Sequence, residues 1–99
     1  MNLISVRNLR SAAARYSDAK KQIEVWIATV KEANWQNLED VRKTYQDAEA
    51  VGDFTVFNIK GNDYRLIVGI NYRKQVVCYK YFLTHAEYSK DKWKNDPYF

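Results

Sequence analysis

A histidine and a tyrosine lie close together after a stretch of strand-forming residues, and they are the first candidates for chemistry. The chain's one histidine stands in the run Thr84-His85-Ala86-Glu87-Tyr88. An unperturbed imidazole titrates near pH ~6.5, so it can accept or donate a proton at neutral pH. We therefore take His85 as a candidate general acid or base and Tyr88 as a second hydroxyl beside it. The alternative is that His85 is structural, as a lone histidine more often is.

Three cations on neighbouring predicted strands are candidate phosphate ligands. Arg65 and Lys80 are the strongest of them, because arginine presents a bidentate fork to phosphate oxygens and lysine presents a point charge. Lys60 stands beside a predicted turn, where a solvated hairpin tip explains its presence equally well. Residues of these types predict a site for a phosphate group.

The strands that carry the cations are predicted from runs rich in β-branched and aromatic residues, at 54–60, 64–72 and 75–83. Gly61-Asn62 predicts a two-residue hairpin turn, which pairs Asn58 with Arg65. Arg73-Lys74 predicts a second turn between the next two strands. The register set by this second turn gives four cross-strand pairs: Leu66 with Tyr81, Val68 with Tyr79, Ile70 with Val77, and Ile67 with Lys80.

The alternation of side chains along these strands separates two faces of the predicted sheet. The apolar face is the predicted core face, and it carries Phe57, Ile59, Tyr64, Leu66, Val68, Ile70, Val77, Tyr79, Tyr81 and Leu83. The opposite face is predicted to be solvated, and it carries Asn58, Lys60, Asp63, Arg65, Ile67, Gly69, Asn71, Cys78, Lys80 and Phe82. Three cations on one face repel one another, and a bound anion would relieve that repulsion. The arrangement therefore favours a surface that binds an anion.

The N-terminal half has the periodicity of helices. Apolar residues spaced i, i+3, i+4, i+7 predict two helices that form a hairpin, one with Leu9, Ala12, Ala13 and Tyr16 and one with Ile23, Trp26, Ile27 and Val30. Asn37 is a plausible N-cap of a short third helix, residues 46–53 are expected to be a loop, and residues 1–5 are a small strand or an entry segment. The prediction is an α+β fold, a single domain over 1–99, with the helical hairpin packed on a small antiparallel sheet.

The net charge of +4 is unevenly distributed. Residues 1–53 contain eight basic and eight acidic side chains, whereas residues 54–99 contain eight basic and four acidic ones. A localised basic field is the usual footprint of nucleic-acid binding.

Several classes of protein are excluded by composition. No apolar run approaches the roughly 20 residues that a membrane span requires, and the polar N-terminus has no apolar signal segment. One cysteine and one histidine cannot form a structural zinc site, and no Gly-rich phosphate loop occurs. We expect a cytoplasmic protein without membrane association, metal or cofactor.

Two motifs give the chain a family resemblance. They are Phe-Asn-Ile-x-Gly-Asn-x-Tyr-Arg-Leu over residues 57–66 and Thr-His-x-Glu-Tyr over residues 84–88. Together with the order of short strand, helical hairpin, loop and strands, they resemble the HigB toxins, which are RelE-like toxins of bacterial type II toxin–antitoxin systems. The chain departs from the family pattern at Ser89, where an aspartate is expected, and in the tail 95–99.

The resemblance implies a RelE-like fold and an mRNA interferase, an endoribonuclease that inhibits translation by cleaving messenger RNA on the ribosome. It implies attack of the RNA 2′-hydroxyl on the adjacent phosphate without a metal. The implied partners are the ribosome, mRNA and a cognate helix-turn-helix antitoxin of the HigA type, with operator DNA bound only through the antitoxin complex. We expect the antitoxin on the helical side, near Trp35, Arg42 and Lys43.

On this basis we assign His85, Arg65, Lys80 and Tyr88 to catalysis and Lys60, Asn58, Asn62 and Arg73 to RNA binding. Two other functions remain open. One is a non-catalytic RNA-binding module that uses the same basic face. The other is a protein-interaction domain whose basic face docks an acidic partner segment.

Overall fold

Five strands form one mixed sheet, accompanied by four α-helices. The computed structural model describes residues 1–99. Its strands are β1 (Asn2–Ile4), β2 (Glu49–Val51), β3 (Phe54–Ile59), β4 (Tyr64–Asn71) and β5 (Val76–Thr84). Its helices are α1 (Val6–Ala13), α2 (Ser17–Glu32), α3 (Leu38–Thr44) and α4 (His85–Ser89), with a 3₁₀ helix over Lys92–Asn95. The strand order is β1-β5-β4-β3-β2, and the predicted α+β class is confirmed.

The two edges of the sheet are short strands that periodicity does not reveal. β1 pairs in parallel with β5, so the sheet is mixed and not wholly antiparallel. β2 pairs antiparallel with β3, and the prediction of a loop over residues 46–53 is therefore wrong for Glu49–Val51. A three-residue strand contains too few side chains to show an alternation of period two.

The core lies on one face of the sheet, which we call the core face. Its buried cluster combines the apolar stripe of α2 with Leu9 of α1 and with inward residues of β3, β4 and β5. Trp26 of α2, for example, packs edge-on against Phe57 of β3 with ring centroids 5.4 Å apart. Burying one such large apolar side chain stabilises the fold by about 1.5–3 kcal/mol. None of the helices is long and apolar enough to cross a membrane.

The third helix begins as predicted, but the side chain of Trp35, two residues before its N-cap, is not exposed. The Asn37 Oδ1 atom accepts a hydrogen bond from the Asp40 N–H at 2.9 Å, which confirms the N-cap. Trp35 is only 5% exposed and stacks on Phe57, so its own side chain is not part of the exposed surface expected there, whereas Arg42 and Lys43 are exposed. A large aromatic side chain beside a helix start fills the core here.

The first β-hairpin has the predicted register. Asn58 pairs with Arg65 across β3 and β4. The strands are joined by Lys60–Asp63, and a 3.2 Å hydrogen bond from the Asp63 N–H to the Lys60 carbonyl oxygen closes the turn around the predicted pair Gly61-Asn62. Positive φ angles of 51° at Lys60 and 64° at Gly61 turn the chain, and Gly61 adopts this conformation without a Cβ penalty.

The second hairpin contains a β-bulge that changes which side chains share a face. Val68 pairs with Tyr79 as predicted, but Leu66 pairs with Phe82 and Ile67 with Tyr81. The predicted pairs of Leu66 with Tyr81 and of Ile67 with Lys80 are wrong, because Lys80 is an extra residue in β5 at the register shift.

One extra residue reverses the alternation for the rest of the strand. Phe82, predicted on the opposite face, therefore lies in the core cluster. Tyr81 and Leu83, predicted in the core, pack instead on the other side of the sheet with Ile67.

This other side, the second face, is not the solvated surface that alternation predicted. Phe54, Val56 and Ile67 are buried there beneath Trp93 from the C-terminal segment. The segment is fastened by a 2.7 Å hydrogen bond from the Asp53 N–H to the Phe99 carbonyl oxygen. The second face is thus divided between a small apolar cluster and the polar residues at its margins.

Candidate active site

Arg65, His85 and Tyr88 meet at one corner of the sheet, where β4 begins and β5 ends. The Arg65 guanidinium carbon lies 5.4 Å from the centroid of the Tyr88 ring. The His85 N–H donates to the Asp63 carbonyl oxygen at 3.0 Å, which ties α4 to the β3–β4 connection. We call Asn62, Arg65, His85 and Tyr88 the α4 corner.

Arg65 is held rigidly inside this corner. The residue is 9% exposed, and its Nη1 atom donates to the carbonyl oxygens of Asn62 and Tyr64, both at 3.1 Å. Its Nη2 atom donates to Asn62 Oδ1 at 3.2 Å, whereas the Nε atom has no partner within the chain and is not fully enclosed. A guanidinium has five N–H donors, so one edge of this group remains able to bind an anion.

A capping box sets the start of α4 and hence the positions of His85 and Tyr88. Thr84 Oγ1 accepts from the Glu87 N–H at 3.2 Å, and Glu87 Oε1 accepts from the Thr84 N–H at 3.0 Å. His85 is exposed, with Nδ1 3.5 Å from Ser89 Oγ. Ser89 lies one turn after His85, and its hydroxyl donates to the His85 carbonyl oxygen at 2.9 Å.

Tyr88 is half-buried between Arg65 and Trp93. Its ring stacks on Trp93 with centroids 5.1 Å apart and an interplanar angle of 15°. Burial, and secondarily the negative charge of Glu49, raise the pKa of Tyr88 above its ordinary value. The raised pKa favours the protonated hydroxyl, which can donate a hydrogen bond.

Lys80 lies on the second face but does not join the α4 corner. It precedes Leu83, the ladder partner of Arg65, by three residues, which places it about 10 Å away along the strand. Its Nζ atom lies 4.6 Å from the centroid of Tyr98 and 5.8 Å from that of Phe54. The two cations therefore point in opposite directions along the sheet.

Lys60 and Arg73 lie elsewhere. The Lys60 Nζ atom is 3.2 Å from Asp18 Oδ2 on α2, so the prediction that Lys60 shares a face with Arg65 and Lys80 is wrong. The positive φ angle at Lys60 directs its side chain towards the helices. Arg73 is in the β4–β5 connection, at the opposite end of β4 and about 25 Å from the α4 corner. Asn58 is half-buried beside Arg65, its partner in the ladder.

A polar network from α2 holds the β3–β4 connection, and sequence reasoning missed it. The Tyr64 hydroxyl donates to Asp18 Oδ1 at 2.7 Å, and the Lys60 N–H donates to Gln22 Oε1 at 2.7 Å. The hydrogen bond to the Asp18 carboxylate raises the pKa of Tyr64 to about 12, and the same bond, with Lys60, lowers the pKa of Asp18. This network fixes the connection whose carbonyl groups bind Arg65 and His85.

Trp93 is the second residue that the sequence argument overlooked. It is 3% exposed, and its Nε1–H donates to the Tyr88 carbonyl oxygen at 3.1 Å. The available signal was an aromatic residue in a lysine-rich segment five positions after Tyr88. No group of three or more His, Cys, Asp or Glu side chains is placed to hold a metal ion.

Most of the chain matches a known protein family. A family model for HigB toxins, described as the RelE-like toxic component of a toxin–antitoxin system, matches residues 19–91. The matched range includes every residue of the α4 corner and ends before Lys92 and Trp93. A search of curated proteins finds no match to the chain.

Proposed function

The chain belongs to the HigB family of RelE-like toxins, and we propose that it is an endoribonuclease that cleaves mRNA on the translating ribosome. Family membership makes it the toxic component of a toxin–antitoxin system, with an antitoxin as its partner. The observation that carries the proposed activity is the α4 corner, where a fixed guanidinium with a free Nε–H contacts the Tyr88 ring and an exposed histidine begins the adjoining helix.

The proposed cleavage consists of two proton transfers and one displacement at phosphorus. The RNA 2′-oxygen loses its proton and bonds to the adjacent phosphorus, while the bond from phosphorus to the 5′-oxygen breaks. The leaving 5′-oxygen takes up a proton, which gives a 2′,3′-cyclic phosphate and a 5′-hydroxyl. The free edge of Arg65 stabilises the charge that develops on the phosphorane oxygens, which is usually the largest catalytic term.

His85 performs one of the two proton transfers, because its imidazole is exposed at the corner. Tyr88 donates a hydrogen bond to the RNA through its hydroxyl, because its ring already contacts Trp93 and the Arg65 guanidinium. The corner has no second histidine for the other transfer. We therefore place the reaction on the ribosome, which orients the mRNA and supplies the remaining catalytic groups.

The flanking RNA contacts follow from position along the second face. We assign Lys80 to a neighbouring phosphate, because its distance from Arg65 is too large for both to bind the scissile one. The Oδ1 atom of Asn62 orients Arg65 by accepting its hydrogen bond, and Asn58 lies beside Arg65 in the ladder. We do not assign Lys60 to RNA binding, because it pairs with Asp18. We do not assign Arg73 either, because it lies at the opposite end of β4.

The antitoxin is proposed to be a helix-turn-helix protein of the HigA type, through which the pair binds operator DNA. The toxin's own helical half contributes no basic excess for DNA, since its eight cations are balanced by eight acids.

Purified protein added to a reconstituted translation reaction tests the activity. We expect a defined mRNA to be cut only when ribosomes are translating it, and naked RNA to remain intact. Translation arrest with intact mRNA would instead indicate the non-catalytic RNA-binding function. Equal cleavage of naked RNA would contradict the requirement for the ribosome.

A further inference from the structure

A cavity of about 300 Å³ opens next to the α4 corner and is not part of it. It lies between the end of β5, α4 and the 3₁₀ helix, and its lining consists of Tyr81, Leu83, Glu87, Lys90, Lys92 and Trp93. This volume is at the lower end of the range for small-molecule sites and suits one nucleotide.

The cavity has free positive charge at its rim. Neither Lys90 nor Lys92 makes an ion pair or a side-chain hydrogen bond, whereas Lys94 pairs with Asp91 at 3.2 Å. Glu87 is the one acid of the lining, and its Oε1 atom already accepts hydrogen bonds from Thr84. Two lysines against one glutamate leave the lining with a net charge of +1.

The floor of the cavity is apolar and preformed. The Tyr81 hydroxyl donates to Asp96 Oδ2 at 2.8 Å, and the Trp93 indole is fixed by its hydrogen bond to the Tyr88 carbonyl oxygen. Leu83 lies beside them on the second face. An apolar, partly aromatic floor next to unpaired cations is the combination that binds unstacked bases and their phosphates.

The cavity adjoins the proposed cleavage site through two of its lining residues. Leu83 is the ladder partner of Arg65, and Trp93 stacks on Tyr88, whose ring contacts the Arg65 guanidinium. We propose that this cavity binds one unpaired nucleotide of single-stranded RNA flanking the cleavage position. The inference rests on the proposed function for its substrate class, but it concerns binding and not chemistry.

An acidic peptide is the competing occupant, and the floor argues against it. Aspartate and glutamate side chains would use the two lysines but would leave Tyr81, Leu83 and Trp93 without an apolar partner. A nucleotide uses both parts of the lining at once.

The test measures the affinity of a six-nucleotide oligoadenylate for the His85→Gln variant. This variant lacks the proposed proton-transfer group. We expect binding at low salt with a linear dependence of log affinity on log salt. The double substitution Lys90→Ala/Lys92→Ala should reduce that slope by about 1.4, at roughly 0.7 per phosphate contact on a single strand. Lys94→Ala is the matched control, and it should leave the slope unchanged because Lys94 is already paired.

The outcomes separate this inference from the proposed activity. The nucleotide site would be overturned if the protein did not bind the oligoadenylate. It would also be overturned if the double variant kept the wild-type salt slope and the wild-type melting temperature. Either result would count against the site even if the wild type cleaves mRNA. Inorganic polyphosphate or an acidic hexapeptide binding as tightly as the RNA would also overturn it. Lysine-dependent RNA binding by a protein that never cleaves mRNA would support the cavity and contradict the endonuclease.

Discussion

At the scale of single residues, Arg65 has a structural role and a proposed catalytic role. Its hydrogen bonds satisfy two carbonyl oxygens and the side chain of Asn62 inside the corner. The sequence predicts Arg65 as a phosphate ligand by type and by strand position, and this role stays a prediction. The sequence did not indicate the burial of Arg65, because alternation alone predicts a solvated second face and says nothing of the segment that covers it.

Replacing Arg65 should therefore reduce both stability and toxicity. Arg65→Ala leaves buried acceptors without donors, at about 1–3 kcal/mol, and removes a charge-stabilising group worth ~10²–10³ in rate. Arg65→Lys retains the charge and should keep partial activity. Urea unfolding measures the loss of stability, and growth arrest on expression in a bacterial host, with protein levels matched by immunoblot, measures the loss of toxicity. Full arrest by Arg65→Ala would remove Arg65 from the site.

At the scale of secondary-structure elements, the bulge in β5 decides what the second face contains. Tyr79, Tyr81, Phe82 and Leu83 are all apolar, so either phase of the alternation gives an apolar face. Sequence periodicity therefore cannot locate the extra residue, and the predicted faces are wrong after Lys80 for this reason. The N-cap of α3 was predictable because it depends on one local side chain.

The capping box of α4 gives an element-scale prediction. Thr84→Ala removes the oxygen that accepts from the Glu87 N–H and should cost about 1 kcal/mol of stability. Because α4 carries His85 and Tyr88, mRNA cleavage on ribosomes should fall as well. Thr84→Ser keeps the cap and is the control. Wild-type cleavage by Thr84→Ala would show that α4 need not be fixed by its cap.

The C-terminal segment should be sensitive to acid through Asp96. The Tyr98 N–H and then the Tyr81 hydroxyl donate to this carboxylate and lower its pKa below the ordinary value of 3.8. A carboxylate with a depressed folded-state pKa stabilises the fold fully above its unfolded pKa, and this stabilisation is lost as pH falls through the folded value. Asp96→Asn should therefore lower the urea midpoint at pH 7 and approach the wild type at acidic pH. A constant difference at all pH values would contradict this account.

At the scale of the whole molecule, the helical half and the basic half are joined through the β3–β4 connection. Asp18 and Gln22 of α2 hold that connection, and its carbonyl groups in turn hold Arg65 and His85. The fold class and the β3–β4 register were predictable, since strong apolar periodicity and a Gly-Asn turn are local signals. The network was not, because Asp18 and Tyr64 are 46 residues apart and neither stands in a recognisable motif.

The central claim is that the α4 corner performs the cleavage, and single-turnover cleavage of mRNA on stalled ribosomes tests it most directly. The wild-type protein and His85→Gln would be compared at equal concentration, with the exposed-surface variant Lys74→Ala as the control. We predict that His85→Gln slows cleavage by about 10²–10⁴-fold, the usual contribution of a general acid or base, while Lys74→Ala keeps the wild-type rate. Cleavage at the wild-type rate by His85→Gln would contradict the assignment of the corner as the active site.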